Sequence, residues 1–169
     1  MIQQMFNTVW TLLVGKVMLN DLLHTLDDEL ELVDPAVRPI LVSLNRAGFK
    51  TSGSCEGHLS ITGKVTDAYI GFEEEPSPED KKRIREIIAK HTNVPIRLFR
   101  YKTVWFKGSL RDRPTASPME ACDLLRDIER GGGGPGRSVE KILSMYDVKD
   151  LEEMCRLFEA ELERMRKSG

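Results

Sequence analysis

Eight consecutive residues, Thr51-Ser52-Gly53-Ser54-Cys55-Glu56-Gly57-His58, bring hydroxyls, a thiol, a carboxylate, an imidazole and two glycines into one short stretch. Small residues let backbone N–H groups approach a ligand and form a nest for carboxylate or phosphate oxygens, so Gly53 and Gly57 would shape such a cradle. The hydroxyls of Thr51, Ser52 and Ser54 could donate to the same anion. His58 is the side chain suited to proton transfer near neutral pH. Cys55 becomes a nucleophile if the imidazole or the loop amides stabilise its thiolate, and Glu56 could orient His58 or hold a substrate amine. The plain alternative is a polar turn with Glu56 and His58 in water and Cys55 packed as a small apolar residue. Cys-x-x-His is half of a zinc arrangement, but zinc takes three or four protein ligands. His24, His91, Cys122 and Cys155 are scattered, so no metal site is expected. A nucleophilic Cys55–His58 pair meets a geometric objection, because two residues three apart in a tight loop often point apart.

A second surface lies at Arg97 to Arg113, where Arg97, Arg100, Lys102, Lys107, Arg111 and Arg113 face a single acid, Asp112. Strand alternation puts Arg97, Phe99, Tyr101 and Trp105 on one face. Basic residues mixed with aromatics suit phosphate contact and base stacking, which makes Arg97, Arg100, Lys102, Trp105 and Lys107 candidates for nucleic-acid binding. The competing reading is a strand with its aromatics in the core and its charges solvated.

The elements that must position these groups follow from periodicity. Asp34 as N-cap, Pro35 at the first helical position and Val37, Ile40, Leu41 and Leu44 at helical spacing predict a helix over 35–47, closed by Gly48. Alternation predicts strands at about 49–55 and 67–73, the second through Ala68, Ile70 and Phe72, and a strand or tightly connected pair at 95–107. Ser77-Pro78-Glu79-Asp80 and Ser117-Pro118-Met119-Glu120 each open a helix. The glycine-rich 131–136 lies between helical patterns. It is read as a flexible linker in preference to a phosphate cradle, which would follow a strand and end in Gly-Lys-Ser/Thr. Beyond it come a short helix through Val139, Ile142, Leu143 and Tyr146, and a last helix opened by an Asp150–Glu153 capping box. The fold expected is α+β: a small mixed or mainly antiparallel sheet, packed helices, and a C-terminal helical hairpin that could mediate homo-oligomer formation. The expected division is an N-terminal segment 1–17 of uncertain status, a domain 18–130, the linker 131–136 and the hairpin 137–169.

With 169 residues, 40% hydrophobic and 31% charged, the chain has room for one ordinary domain, or a domain and an appendage. Lys+Arg 25 against Asp+Glu 27 gives a formal charge of −2, which argues against a global polyanion binder. The five acids within Asp27 to Asp34 read as a solvated helix end or turn. The apolar run Val9 to Val14 is too short to span a bilayer, and Met1 to Thr8 lacks the basic residues of a secretory signal. An odd number of cysteines, with Cys122 and Cys155 on helical stripes as packing residues, favours a reducing cytoplasm.

Asp34-Pro35, the helix through Leu44-Asn45 and the run Phe49 to His58 resemble the amino-terminal part of the wybutosine-synthesising tRNA methyltransferases, the third enzyme class of that pathway. There a helix ending in Leu/Ile-Asn leads into a Thr-x-Ser-Ser-Cys-Ser-Gly-Arg loop. The resemblance spans about 25 residues and is carried by Asn45, Thr51, Ser54, Cys55 and Gly57. Where the family has Cys-Ser-Gly-Arg, this chain has Cys55-Glu56-Gly57-His58. The Ser-Cys-Glu-Gly-His run is also similar to that of small proteins with no assigned activity. The resemblance implies methyl transfer from S-adenosylmethionine to a modified guanosine nitrogen in tRNA, with the basic aromatic strand presenting the RNA. No Gly-x-Gly-x-x-Gly follows a strand, so that cofactor would sit on the Thr51–His58 loop. The expected function is therefore a ligand-binding or group-transfer domain acting on RNA or a nucleotide. Its rival is a non-catalytic small-ligand or protein-interaction module.

Overall fold

Three closely spaced apolar residues, Ile40, Leu41 and Leu44, form the buried stripe of the first helix, α1 (Arg38–Arg46). The computed structural model describes residues 33–168, so the expectations for 1–17 and for most of the acidic run lie outside the described residues. Asp34 does not cap α1. Residues 35–37 form a turn, and the Asp34 Oδ2 accepts the backbone N–H of Glu56 at 3.1 Å. In return Glu56 Oε2 accepts the Ala36 N–H at 2.9 Å. A carboxylate twenty residues downstream thus supplies the acceptor that the local sequence was expected to provide.

Four strands follow: β1 (Thr51–Cys55), β2 (Tyr69–Phe72), β3 (Ile96–Arg100) and β4 (Thr103–Phe106). They pair antiparallel throughout in the order β1-β2-β4-β3. The stretch expected as a strand or a pair is a pair, turned by Tyr101 and Lys102, with Tyr101 at φ 49°. The helix α2 (Pro78–Ile88) starts at its Ser77 cap, whose hydroxyl accepts the Asp80 N–H. Ile84 and Ile88 of α2 join Val37, Ile40, Leu41 and Leu44 on one face of the sheet, against Ile70, Phe72, Val104 and Phe106. Period-two alternation leaves the other phase of each strand on the face away from both helices. The architecture is α+β, as the alternation of patterns implies.

Two compact units emerge from the contacts. The first runs up to Glu56 and continues over Asp67–Leu110; the second comprises Gly57–Thr66 and the chain from Arg111 onward. The break does not fall at the glycine run, where the sequence placed it. In the second unit, α3 (Pro118–Glu129) is capped by Ser117, α4 (Val139–Met145) by Ser138, and α5 (Val148–Ser168) follows. Asp147, three residues before the expected Asp150, starts α5 by accepting the Lys149 N–H at 2.9 Å. Ala121, Leu124, Ile142, Tyr146, Leu151 and Met154 form this unit's own core. The glycine run is a closed turn rather than an open tether. Gly131 and Gly132 take φ of 78° and 82°, and the Gly132 N–H donates to Asp127 O at 2.7 Å. A Cβ on Gly132 would lie 3.0 Å from Val139 Cγ2, and Arg137 pairs with Asp127 at 3.3 Å. Only glycine accommodates both the positive φ and that approach.

Cys122 and Cys155 are joined in a disulfide between α3 and α5. Their positions on two helical stripes suggest separate packing residues, and the bond between them corrects that expectation. Parity argues against a framework of many bridges; it does not exclude one bridge beside an additional thiol. Closing a loop with a sequence separation of 33 stabilises the fold by about 4 kcal/mol in the chain-entropy picture.

Candidate functional site

The eight chemically rich residues are divided between the two units. Thr51 to Glu56 belong to the first, Gly57 and His58 to the second. Within the first unit, most of the run is structural. Thr51 is fully buried, and its Oγ1 accepts a hydrogen bond from Asn45 Nδ2 at 3.1 Å; the same amide group donates to Leu41 O at 2.8 Å. These bonds tie β1 to α1 and explain the pairing of Asn45 with Thr51 without a ligand. Gly53 lies opposite Gly71. A Cβ on Gly71 would come within 3.0 Å of Ser52 Oγ, so the two glycines and Ser52 form a close strand contact. Glu56 is also fully buried. Besides its bonds to residues 34 and 36, its carbonyl accepts the Leu110 N–H at 2.7 Å and the Ser109 hydroxyl at 3.0 Å. That residue fastens two distant chain segments to the end of β1.

Cys55 has a different setting. It keeps its thiol and opens a row across the sheet: Cys55 opposite Tyr69, Tyr69 opposite Trp105, Trp105 opposite Leu98. Alternation directs this row to the face away from α1 and α2, which carries no helix among the described residues of the unit, while Ser54, Ile70, Val104 and Phe99 are directed to the helices. Ser54 and Cys55 therefore serve opposite faces. The Tyr69 and Trp105 rings lie 5.1 Å apart, tilted by 41°. Cys55, Tyr69 and Trp105 are half-buried and Leu98 is 38% exposed. Burial, with the electrostatic influence of Cys55 and Asp34 adding to it, pushes the Tyr69 phenol up to about 12, so it is a neutral donor at physiological pH.

The basic residues around this face differ in how committed they are. Arg97 is paired with Asp67 at 2.6 Å, and Asp67 also accepts the Gly108 N–H at 3.0 Å. Lys102 Nζ donates to Glu73 O at 2.7 Å. Arg100 is exposed, lies opposite Thr103 on the same face as Trp105, and has its guanidinium 5.9 Å from the Tyr101 ring. Lys107 is exposed just beyond the end of β4. No family model, no curated protein and no solved structure matches this chain. The chemistry must therefore be read from the geometry alone. A tilted aromatic pair with a cation at its margin can take a planar ring and an attached anion.

In the second unit, Gly57 adopts φ 83° and His58 is 8% exposed. The His58 N–H donates to Thr66 Oγ1 at 2.8 Å, and its carbonyl accepts the Thr66 N–H. Nearby in this unit is Glu120, in the first turn of α3. Burial raises its carboxyl above the usual range, against the opposing pull of the Ile61 N–H and the charges of Arg137 and His58. The Tyr146 hydroxyl donates to Leu59 O at 2.7 Å, and burial holds its phenol protonated well above the ordinary value. Sequence reasoning missed Tyr69, Glu120 and Tyr146 as polar groups of interest. The signal for Tyr69 was present, since the alternation that identified Ala68, Ile70 and Phe72 as one phase of β2 assigns Tyr69 to the other.

Proposed function

We propose that the protein is a cytoplasmic RNA-binding module that receives unpaired bases on the face of the four-stranded sheet opposite its helices. The observation that carries this reading is the half-buried Tyr69–Trp105 pair in the middle of that face, with the exposed Arg100 on the same side. Antiparallel sheets that present aromatics recognise single-stranded RNA by stacking, because every base offers a π-face, while arginine and lysine meet the backbone. Arg100 and Lys107 are the phosphate contacts of this reading; Arg97 and Lys102 border the face through their bonds to Asp67 and Glu73. No helix among the described residues is long and apolar enough to cross a membrane.

Fluorescence anisotropy with a labelled single-stranded oligoribonucleotide tests the reading. Trp105→Ala removes a stack worth about 1–3 kcal/mol, so affinity falls about 10- to 100-fold, and Arg100→Ala makes the loss of affinity with salt less steep. Trp105→Ala binding as tightly as wild type would overturn the proposal. A mononucleotide that displaces the oligomer completely at comparable concentration would identify the ligand as a nucleotide instead.

A second reading is group transfer to RNA, with S-adenosylmethionine as donor and the Thr51–His58 run as its site. It is favoured by one observation, the Cys55 thiol beside Tyr69 in the same row. Its mark would be a thermal shift with S-adenosylmethionine that Cys55→Ala abolishes. Association through the C-terminal helices belongs with either reading and rests on exposed Leu143 and Val148; sedimentation of Leu143→Lys against wild type decides it.

A further inference from the structure

The second unit contains a cluster that the RNA reading does not use. Cys122 projects from α3; Cys155 and Glu159 project from α5 at i and i+4, the spacing that puts two side chains on one helix face. One ligand atom from each of the three, the two sulfurs and a carboxylate oxygen, falls within 4.8 Å of the others. These residues line a groove of about 310 Å³, whose wall also carries Glu129 and Glu152. Glu152 is three residues before Cys155 and so lies on the same side of α5. Soft thiolate donors together with a carboxylate, drawn from two helices, match the borderline-soft divalent ion that takes sulfur and oxygen ligands in a tetrahedron.

We propose that Cys122, Cys155 and Glu159 form a redox-gated zinc site, closed as a disulfide in the oxidised protein and able to hold Zn²⁺ when reduced. A dithiol reductant supplies two electrons and two protons, breaking the S–S bond and leaving two thiols, and is itself oxidised to a disulfide. Zn²⁺ then displaces one proton from each thiol and is bound by two thiolates and the Glu159 carboxylate, with Glu152 or water completing four ligands. Both states cross-link α3 to α5. The disulfide does so covalently, and the metal replaces it in a reducing compartment, where a lasting bridge between Cys122 and Cys155 would be exceptional. Arg126 and Arg156, which share the groove, offset the negative charge of Glu129, Glu152 and Glu159.

The experiment uses the full-length chain, reduced with a phosphine and desalted without oxygen, and titrated with Zn²⁺ in competition with a chromophoric chelator. The expected result is one zinc per reduced chain and none per oxidised chain, a comparison that needs no substitution. Glu159→Gln weakens binding by about tenfold or more, the least that even partners one layer beyond the ligands cost, and Cys55→Ser leaves it unchanged. Cobalt(II) added to the reduced protein gives thiolate-to-metal absorption that is absent from Cys122→Ser/Cys155→Ser. If that double variant folds poorly, the oxidised wild type is the folded reference. Equal zinc uptake by oxidised and reduced chains, loss of the zinc in Cys55→Ser, or full affinity in Glu159→Gln would each overturn the proposal.

Discussion

The two units solve the problem of fixing their elements by different means. In the first, α1 and α2 cover one sheet face, and the chain at the entrance to α1 is held by reciprocal bonds between residues 34–36 and a fully buried Glu56. In the second, helices pack around Ala121, Leu124 and Ile142 and are stapled by Cys122–Cys155. A polar clamp and a covalent one do the same work with different vulnerabilities. The first depends on donors and acceptors staying desolvated together, the second on redox state. The contrast also explains why residues of the first unit that look chemical in the sequence take different roles in the fold. Glu56 and Thr51 are occupied as fasteners, whereas Cys55 sits on the sheet face away from α1 and α2.

Reduction in the presence of a chelator tests the contrast most severely. It should cost about 4 kcal/mol and lower amide-exchange protection in α3 and α5, with α1 and β1 unchanged; a uniform fall in protection would mean the staple is not local to the second unit. Glu56→Ala comes next. Losing the charge-assisted bond that the buried Glu56 carboxylate accepts from the half-buried Ala36 N–H should cost about 2–3 kcal/mol and loosen α1 and β1 first. A cost below about 1 kcal/mol by urea titration would show that the clamp is incidental. The smallest effect concerns Glu120. Its carboxyl is raised in the folded protein, chiefly by burial, so the fold favours the protonated form. That contribution is fully present below the unfolded value of 4.5 and is lost as pH rises through the elevated folded value. Glu120→Gln should flatten the stability profile across that window and leave the second unit at least as stable at neutral pH. A variant whose profile still declines in parallel with wild type would assign the pH dependence to another group.

Local signals were legible and distant ones were not. Ser77-Pro78-Glu79-Asp80 and Ser117-Pro118-Met119-Glu120 carry their own caps, and both helices start where those residues say. Alternation revealed the strands because one sheet face is buried, which forces period two on the sequence. Asp34 misled because a good local cap was outcompeted by Glu56, a partner that adjacent-residue rules cannot see. The Cys122–Cys155 bond joins residues on two separate helices, and nothing in either helical stripe distinguishes a bonded cysteine from a packed one. Within the candidate site, Cys55 and Trp105 were visible by type. Their membership in one row required the register of β2, which enters through Tyr69.

The interleaving of the two units has a consequence for how the chain is made. Gly57–Thr66 leaves the ribosome well before the residues it belongs with, since the Leu59 N–H is satisfied by Thr115 O. At about 5–20 residues per second, this segment waits several seconds for its partner, while the strands on either side of it are already able to pair. Gly57–Thr66 can close its own local bonds early, but the buried core of the second unit, which starts at Ala116, can form only after the first unit has been fully synthesised.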